Sequence, residues 1–280
     1  MMTIKEMLDM GADTLHKACV NEYKLDAWYL LSYYLGINKS KYYMRMNESV
    51  DDLKVAEYMS YISRRAEHEP LQYITGEQEF YGLLFKVNEN VLIPRQDTEV
   101  LVEYVIGISQ GRTVLDMCTG SGCIAVSIAK CGNAAAVSAS DISEDALKVA
   151  EYNAKNNQAD IEFIHSDIWE NITGSYDILV SNPPYITDEE MEELDAEVYA
   201  HEPHLALRGG CDGLVCYRKI LNGIDGHIND NGVICFEIGC SQAKDIIGLM
   251  EENNLSDIHV IKDLAGLDRV VWGRYKAAEV

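Results

Sequence analysis

The stretch "LDMCTGSGCIAV", Leu115 to Val126, changes character at its middle. It opens as the end of an apolar strand that starts at Thr113, passes through Gly120 and Gly122, and resumes as an apolar run at helical spacing from Cys123 to Lys130. Glycines where a strand must turn sharply into a helix leave backbone N–H groups and a helix N-terminus open to a ligand. Taken alone, such a loop is a weak signal, with a structural tight turn as its other reading. The next strand, Ala136 to Asp141, ends in "SASDIS" and sets the acidic Asp141 about 20 residues beyond the loop, the spacing at which a carboxylate accepts hydrogen bonds from ribose hydroxyls. Loop and acid together name a nucleoside ligand rather than a reaction, since a nicotinamide cofactor would suit the same pair.

Outward from this point, short β-rich runs alternate with helical ones. Further strands are predicted over Ile161 to Ser166, Tyr176 to Ser181, Gly232 to Ile238, Ile258 to Lys262 and Arg269 to Arg274, with helices over Glu144 to Asn156, Gly213 to Ile228 and Ser241 to Asn253. The alternation predicts an α/β fold with a doubly wound, mostly parallel sheet covered on both faces. No helix separates the last two strands, only the Ala265-Gly266 turn, so the final strand is expected to run antiparallel. Upstream, apolar residues from Ile4 to Glu69 recur at helical spacing and predict a small helical domain. "GEQEFYGLLFKVNENVLIP" then alternates around Gly82, as a β-hairpin does, and Asp97-Thr98-Glu99 opens a helix toward Ser109. The expected organisation is a helical domain over 1–75, a hairpin linker over 76–93 and an α/β domain over 94–280.

A chain of 280 residues with 48% hydrophobic content can build a proper core, and no run approaches the length of a membrane span. Its start lacks the layout of a secretory signal, so a cytoplasmic, membrane-free protein is expected. The net charge of −23 repels a phosphate backbone and disfavours direct nucleic-acid binding. None of the cysteine pairs Cys118/Cys123, Cys211/Cys216 and Cys235/Cys240 has the spacing of a zinc or redox site, and buried free thiols are expected. Pro203 spoils a helical ligand face for His201 and His204, so no metal is expected.

Two further strand ends carry chemistry. "HSDIW" places Asp167 and Ile168 beside the same crevice, where the carboxylate can accept from an exocyclic amine or cap a helix. "SNPPYI", Ser181 to Ile186, follows the fourth strand at the carboxyl edge, where ligands of open α/β sheets bind. Prolines there forbid helix and further ladder pairing, and hold the Asn182 side-chain oxygen and the Pro183 carbonyl as two acceptors. Two converging acceptors match one NH2 group, and Tyr185 offers a flat face for a planar amide or base.

Asn-Pro-Pro-Tyr after the fourth strand is the signature of S-adenosylmethionine-dependent methyltransferases acting on planar amino or amide nitrogens. "DMCTGSG" followed by "SASDIS" is similar to their cofactor loop and ribose acid. With "GEQEFYGLLFKVNENVLIPRQDTE" (Gly76 to Glu99), "HEPHLAL" (His201 to Leu207) and "KDLAGLDRVVWGR" (Lys262 to Arg274), the chain resembles the peptide chain release factor glutamine N5-methyltransferase family over nearly its whole length. The resemblance implies a Rossmann-like methyltransferase fold and a reaction on the glutamine of the Gly-Gly-Gln loop of release factors, with S-adenosyl-L-homocysteine as product. It implies a cofactor site of Cys118, Thr119, Gly120, Ser121, Gly122, Asp141, Asp167, Ile168 and Asn182, and catalytic roles for Asn182, Pro183 and Tyr185. Pro184, Arg95 and Glu202 join the latter three on the substrate side, the N-terminal helices help hold the release factor, and the chain acts as a monomer. Family members usually carry Gly at the position of Cys118 and Pro at that of Gln96; the first departure is expected to narrow the loop and the second to soften a substrate-side turn. Two rival readings stand beside this one: an adenine N6-methyltransferase of nucleic acid, whose basic surface the charge argues against, and a non-catalytic cofactor-binding scaffold, whose mark would be loss of Asn182 or Tyr185.

Overall fold

The computed structural model describes residues 2–277. It divides into two compact units, one formed by the residues up to Gly76 together with Asp195–His201, the other by Glu77–Leu194 and the residues from Glu202 onward.

The first unit is built on helices Ile4–Lys17, Tyr23–Leu35 and Asp52–Ala66. The first is started by a capping box: Glu6 N–H donates to Thr3 Oγ1 (3.2 Å) while Thr3 N–H donates to Glu6 Oε2 (2.8 Å). Met7, Leu15, Leu30, Leu31, Tyr58 and Ile62 form its buried core, and the Tyr58 hydroxyl donates to Ala27 O at 3.1 Å. Gly11 is needed here because a Cβ would stand 2.3 Å from the Tyr58 hydroxyl. The buried Arg65 guanidinium joins the segments, pairing with Asp26 and Glu197 at 2.7 Å each.

The second unit opens with a hairpin of Glu77–Phe80 and Leu83–Lys86, whose two-residue turn puts Tyr81 and Gly82 at positive φ. Its central sheet has seven strands: β1 (Thr113–Met117), β2 (Ala136–Asp141), β3 (Glu162–His165), β4 (Tyr176–Ser181), β5 (Ile228–Glu237), β6 (Leu255–Lys262) and β7 (Asp268–Tyr275). The spatial order is β6-β7-β5-β4-β1-β2-β3; β1 to β5 pair in parallel, and β7 runs antiparallel to both β5 and β6, as the missing helix predicts. Period-two alternation serves both faces. Val114, Ile178, Val180, Val233 and Cys235 pack under helices Thr98–Ile108 and Cys123–Cys131, whereas Leu115, Leu179, Ile234 and Phe236 meet Val215–Leu221 and Ala243–Glu252. This is the Rossmann-like α/β architecture.

Two boundaries differ from the expected ones. A helix predicted through Ile228 stops at Leu221; beyond it Gly223 lies against the Trp169 ring, where only glycine leaves room, and Gly226 adopts a φ of +81°. The chain turns there, and β5 begins already at Ile228, with an irregularity before Val233 where Asn231 takes a φ of +60°. β6 likewise starts earlier, at Leu255, through a bulge at Asp257.

Candidate active site

A cavity of about 450 Å³ opens at the carboxyl edge of β1, β2 and β4, a volume in the range of small-molecule sites. The β1 loop forms its floor. Gly120, at φ +55°, sits where a Cβ would meet no neighbouring atom, so its backbone is bare toward the cavity. Gly122, at φ +80°, caps helix Cys123–Cys131, and a Cβ there would stand 3.0 Å from that of Ala150; only glycine lets the two helices come this close. The loop is tied from below by Asp116, which accepts from the Thr119 hydroxyl (2.6 Å) and from Ala125 N–H (3.1 Å). Burial nevertheless pushes the Asp116 carboxyl up to about 7.

Asp141 joins loop and second strand. Its Oδ2 accepts from Gly120 N–H at 2.8 Å and its Oδ1 from Ser143 N–H at 2.9 Å, which orients the carboxylate and leaves further lone pairs toward the cavity. Burial raises its pKa against the pull of those two hydrogen bonds. Asp167 also lines the cavity, 3.8 Å from Lys219 Nζ. Of its two sequence readings, the helix cap is excluded: a turn follows it, not a helix. Ile168, beside it on the wall, is held at φ +53°, an unusual conformation for a β-branched residue, with its carbonyl accepting from the Ser166 hydroxyl at 2.9 Å.

The proline turn after β4 divides its residues between the cavity and the interior. Asn182 and Pro184 line the cavity. Asn182 uses its amino group on the Thr98 hydroxyl at 3.4 Å, leaving Oδ1 with no donor among the described residues. Pro183 is buried, off the cavity wall, and among the described residues nothing donates to its carbonyl. Tyr185 does not line the cavity: half-buried, it packs against the core cluster beside Gly239, and burial pushes its hydroxyl up to about 12. Its carbonyl is not free either, accepting from Gln242 Nε2 at 3.0 Å. A glycine-rich segment that the sequence reading passed over braces the turn from outside. Arg208–Gly210 pairs in parallel with Ile186–Thr187, and a Cβ at Gly209 or Gly213 would lie 2.8 Å or less from the backbone of Pro184 and Tyr185.

Arg95 and Glu202, expected as separate substrate contacts, form one ion pair. Glu202 is buried and also accepts from Ile93 N–H at 3.3 Å, so its carboxylate is engaged within the protein; Arg95, 40% exposed, is the member that lines the cavity. Cys118 lines it too, its sulfur 3.9 Å from that of Cys216. The cysteines as a group are less buried than expected: all eight are free, and Cys19, Cys131, Cys211 and Cys240 are exposed. Thr98, Glu237 and Asn153 escaped the sequence reading. Glu237 left a signal, an acid ending the apolar run "GVICFEIG"; Thr98 left none beyond its helix start.

Comparisons with known proteins bear on this site. Residues 6–76 match the family described as PrmC N-terminal domain, and residues 96–219 match the Methyltransferase small domain. A release factor glutamine methyltransferase from Geobacter sulfurreducens is 38% identical over 274 residues, covering 97% of this chain and 96% of that one. Another, from Lactococcus lactis subsp. lactis, is 42% identical over 240 residues, covering 84% of this chain and 88% of its own. Among solved structures, a methyltransferase from Pyrococcus furiosus aligns with a TM-score of 0.54 over 70% of this chain and 90% of its own at 17% identity, a likeness of fold alone.

Proposed function

The chain belongs to the release factor glutamine methyltransferase family, and from that premise we propose that it methylates the side-chain nitrogen of the glutamine in the Gly-Gly-Gln loop of release factors. One observation carries the reading: Asn182 turns its amino end onto Thr98 and so leaves Oδ1 as an acceptor on a cavity shared with Gly120 and Asp141. The cavity fits S-adenosylmethionine: the bare backbone at Gly120 and the donor-oriented Asp141 suit a nucleoside, and Asp167 suits an exocyclic amine. When bound, that molecule supplies a methyl group on a positively charged sulfur.

An amide nitrogen is a poor nucleophile because its lone pair is delocalised into the carbonyl. Asn182 Oδ1, on the cavity wall, accepts an N–H bond of the amide, orients it and stabilises the positive charge that develops on nitrogen, whereas Pro183, the expected second acceptor, lies off that wall. Arg95, held by Glu202, contacts the substrate's backbone. No strong base is required, since the proton becomes acidic once the new C–N bond forms. The N-terminal helical unit holds the release factor, a role suited by its exposed Tyr43, Met44 and Leu53. The enzyme works as a cytoplasmic monomer.

The test is incubation with methyl-labelled S-adenosylmethionine and three acceptors: release factor, its loop Gln→Ala variant, and ribosomal RNA. Label is expected in the first alone; label in the RNA would replace this reading with an adenine methyltransferase. Asn182→Ala is expected to lower turnover by about 10² to 10³ while keeping cofactor affinity, and Asp141→Ala to weaken the cofactor instead.

A further inference from the structure

Thr98, Asn182 and Glu237 arrive from three separate elements: the first residue of helix Thr98–Ile108, the turn after β4 and the end of β5. Sheet register sets two of them side by side, because Phe236 pairs with Ser181 in the parallel ladder and the next residues on each strand are Glu237 and Asn182. Thr98 is 2% exposed and Glu237 1% exposed. Thr98 Oγ1 accepts from Asn182 Nδ2, so its own hydrogen is free to be donated onward. Among the described residues the Glu237 Oε2 atom has no hydrogen-bond partner, an unusual state for a buried carboxyl oxygen. Burial pushes the Glu237 carboxyl up to about 7, and the neighbouring Thr98 and Asn182 side chains pull it back down.

An amide side chain that must present oxygen needs a reason not to rotate and present nitrogen. A hydroxyl can receive either end, by accepting from NH2 or donating to C=O; a hydroxyl whose hydrogen is committed to a carboxylate can receive only NH2. We propose that Thr98, backed by Glu237, is a positioning residue for Asn182: the hydroxyl donates to the carboxylate, accepts from the Asn182 amino group, and thereby fixes Oδ1 toward the substrate nitrogen. This rests on the glutamine-methylating reading above.

The experiment compares Thr98→Val, which keeps shape and removes the hydroxyl, with Thr98→Ser, which restores it. Turnover on release factor is expected to fall about tenfold or more in Thr98→Val and to recover in Thr98→Ser, with affinity for S-adenosylhomocysteine within about twofold throughout. Binding of a Gly-Gly-Gln peptide to the S-adenosylhomocysteine complex, measured by calorimetry, should weaken in Thr98→Val. In single-turnover assays on an Asn182→Ala background, Thr98→Val should add little further loss, because the group it orients is gone. Glu237→Leu should act as Thr98→Val does; if it fails to fold, the threonine series decides. Wild-type turnover in Thr98→Val, or losses that simply multiply with Asn182→Ala, would overturn the proposal. An inactive wild-type enzyme would instead overturn the function it rests on.

Discussion

Cys118 takes a φ of +61° at the end of β1, in the left-handed region where a side chain costs about 1 to 2 kcal/mol. A glycine, which the family resemblance leads one to expect there, would avoid that cost; the cysteine instead packs beside Cys216, with the sulfurs 3.9 Å apart. The contact with Cys216 and burial together push the Cys118 thiol well above its ordinary value, so it has almost no thiolate at neutral pH. Iodoacetamide at pH 7.5, followed by peptide mass spectrometry, is expected to alkylate the exposed Cys19, Cys131, Cys211 and Cys240 well before Cys118; equal rates would contradict this environment. Other site residues show what sequence can reveal at this scale. Gly120, Asp141 and Asn182 are legible because each lies within a contiguous motif whose residue types already state their chemistry. Thr98 is not, since its partner Asn182 is 84 positions away and only the folded sheet brings them together. Tyr185 is legible as an aromatic ring in its motif, but not the way the braced turn faces it, half-buried against the core and off the cavity.

Elements were more legible than their joints. β1, β2 and β4 fall over the expected Thr113–Met117, Ala136–Asp141 and Tyr176–Ser181, because parallel central strands are buried on both faces and read as short β-rich runs even with a buried Asp116 or Ser138 inside them. The join of β5 to the preceding helix was not, because the apolar spacing of Ile220, Leu221, Ile224 and Ile228 continues through a turn that Gly223 and Gly226 impose. Nor did helix Glu144–Asn156 disclose that it clamps two other elements. Its fully buried Asn153 donates to Lys86 O (3.0 Å) and Ser121 O (2.9 Å) and accepts from Lys86 N–H (2.7 Å), joining the hairpin to the cofactor loop. Asn153→Ala leaves the buried Ser121 carbonyl and the part-buried Lys86 N–H and C=O without their partner and is expected to cost about 1 to 3 kcal/mol. Urea denaturation measures that loss. Because Ser121 sits in the loop, affinity for S-adenosylhomocysteine should fall as well, whereas a substitution affecting only the hairpin would leave it unchanged.

For the whole molecule, charge sets the response to pH. Two buried carboxyls, Asp116 and Glu237, are each held up near 7 by loss of water. Their folded-state pKa values lie above those of the unfolded chain, so the native state binds protons more tightly. The stability this contributes is complete below about pH 4 and is lost as pH rises through about 7. Surface repulsion works in the same direction, since the net charge of −23 is reached only when the carboxylates are ionised. Salt separates the two contributions: exposed charges about a Debye length apart are screened, buried groups far less. Wild-type melting temperature is therefore expected to decline from pH 5 to pH 8, and 0.5 M NaCl should remove only part of the decline. Asp116→Asn should start lower, having weakened the Thr119 and Ala125 contacts, yet fall less steeply over that range, and the difference in slope from wild type should survive the salt. If salt flattened the wild-type profile completely, surface charge would account for all of it, and the buried carboxyls would have to be ionised at little cost.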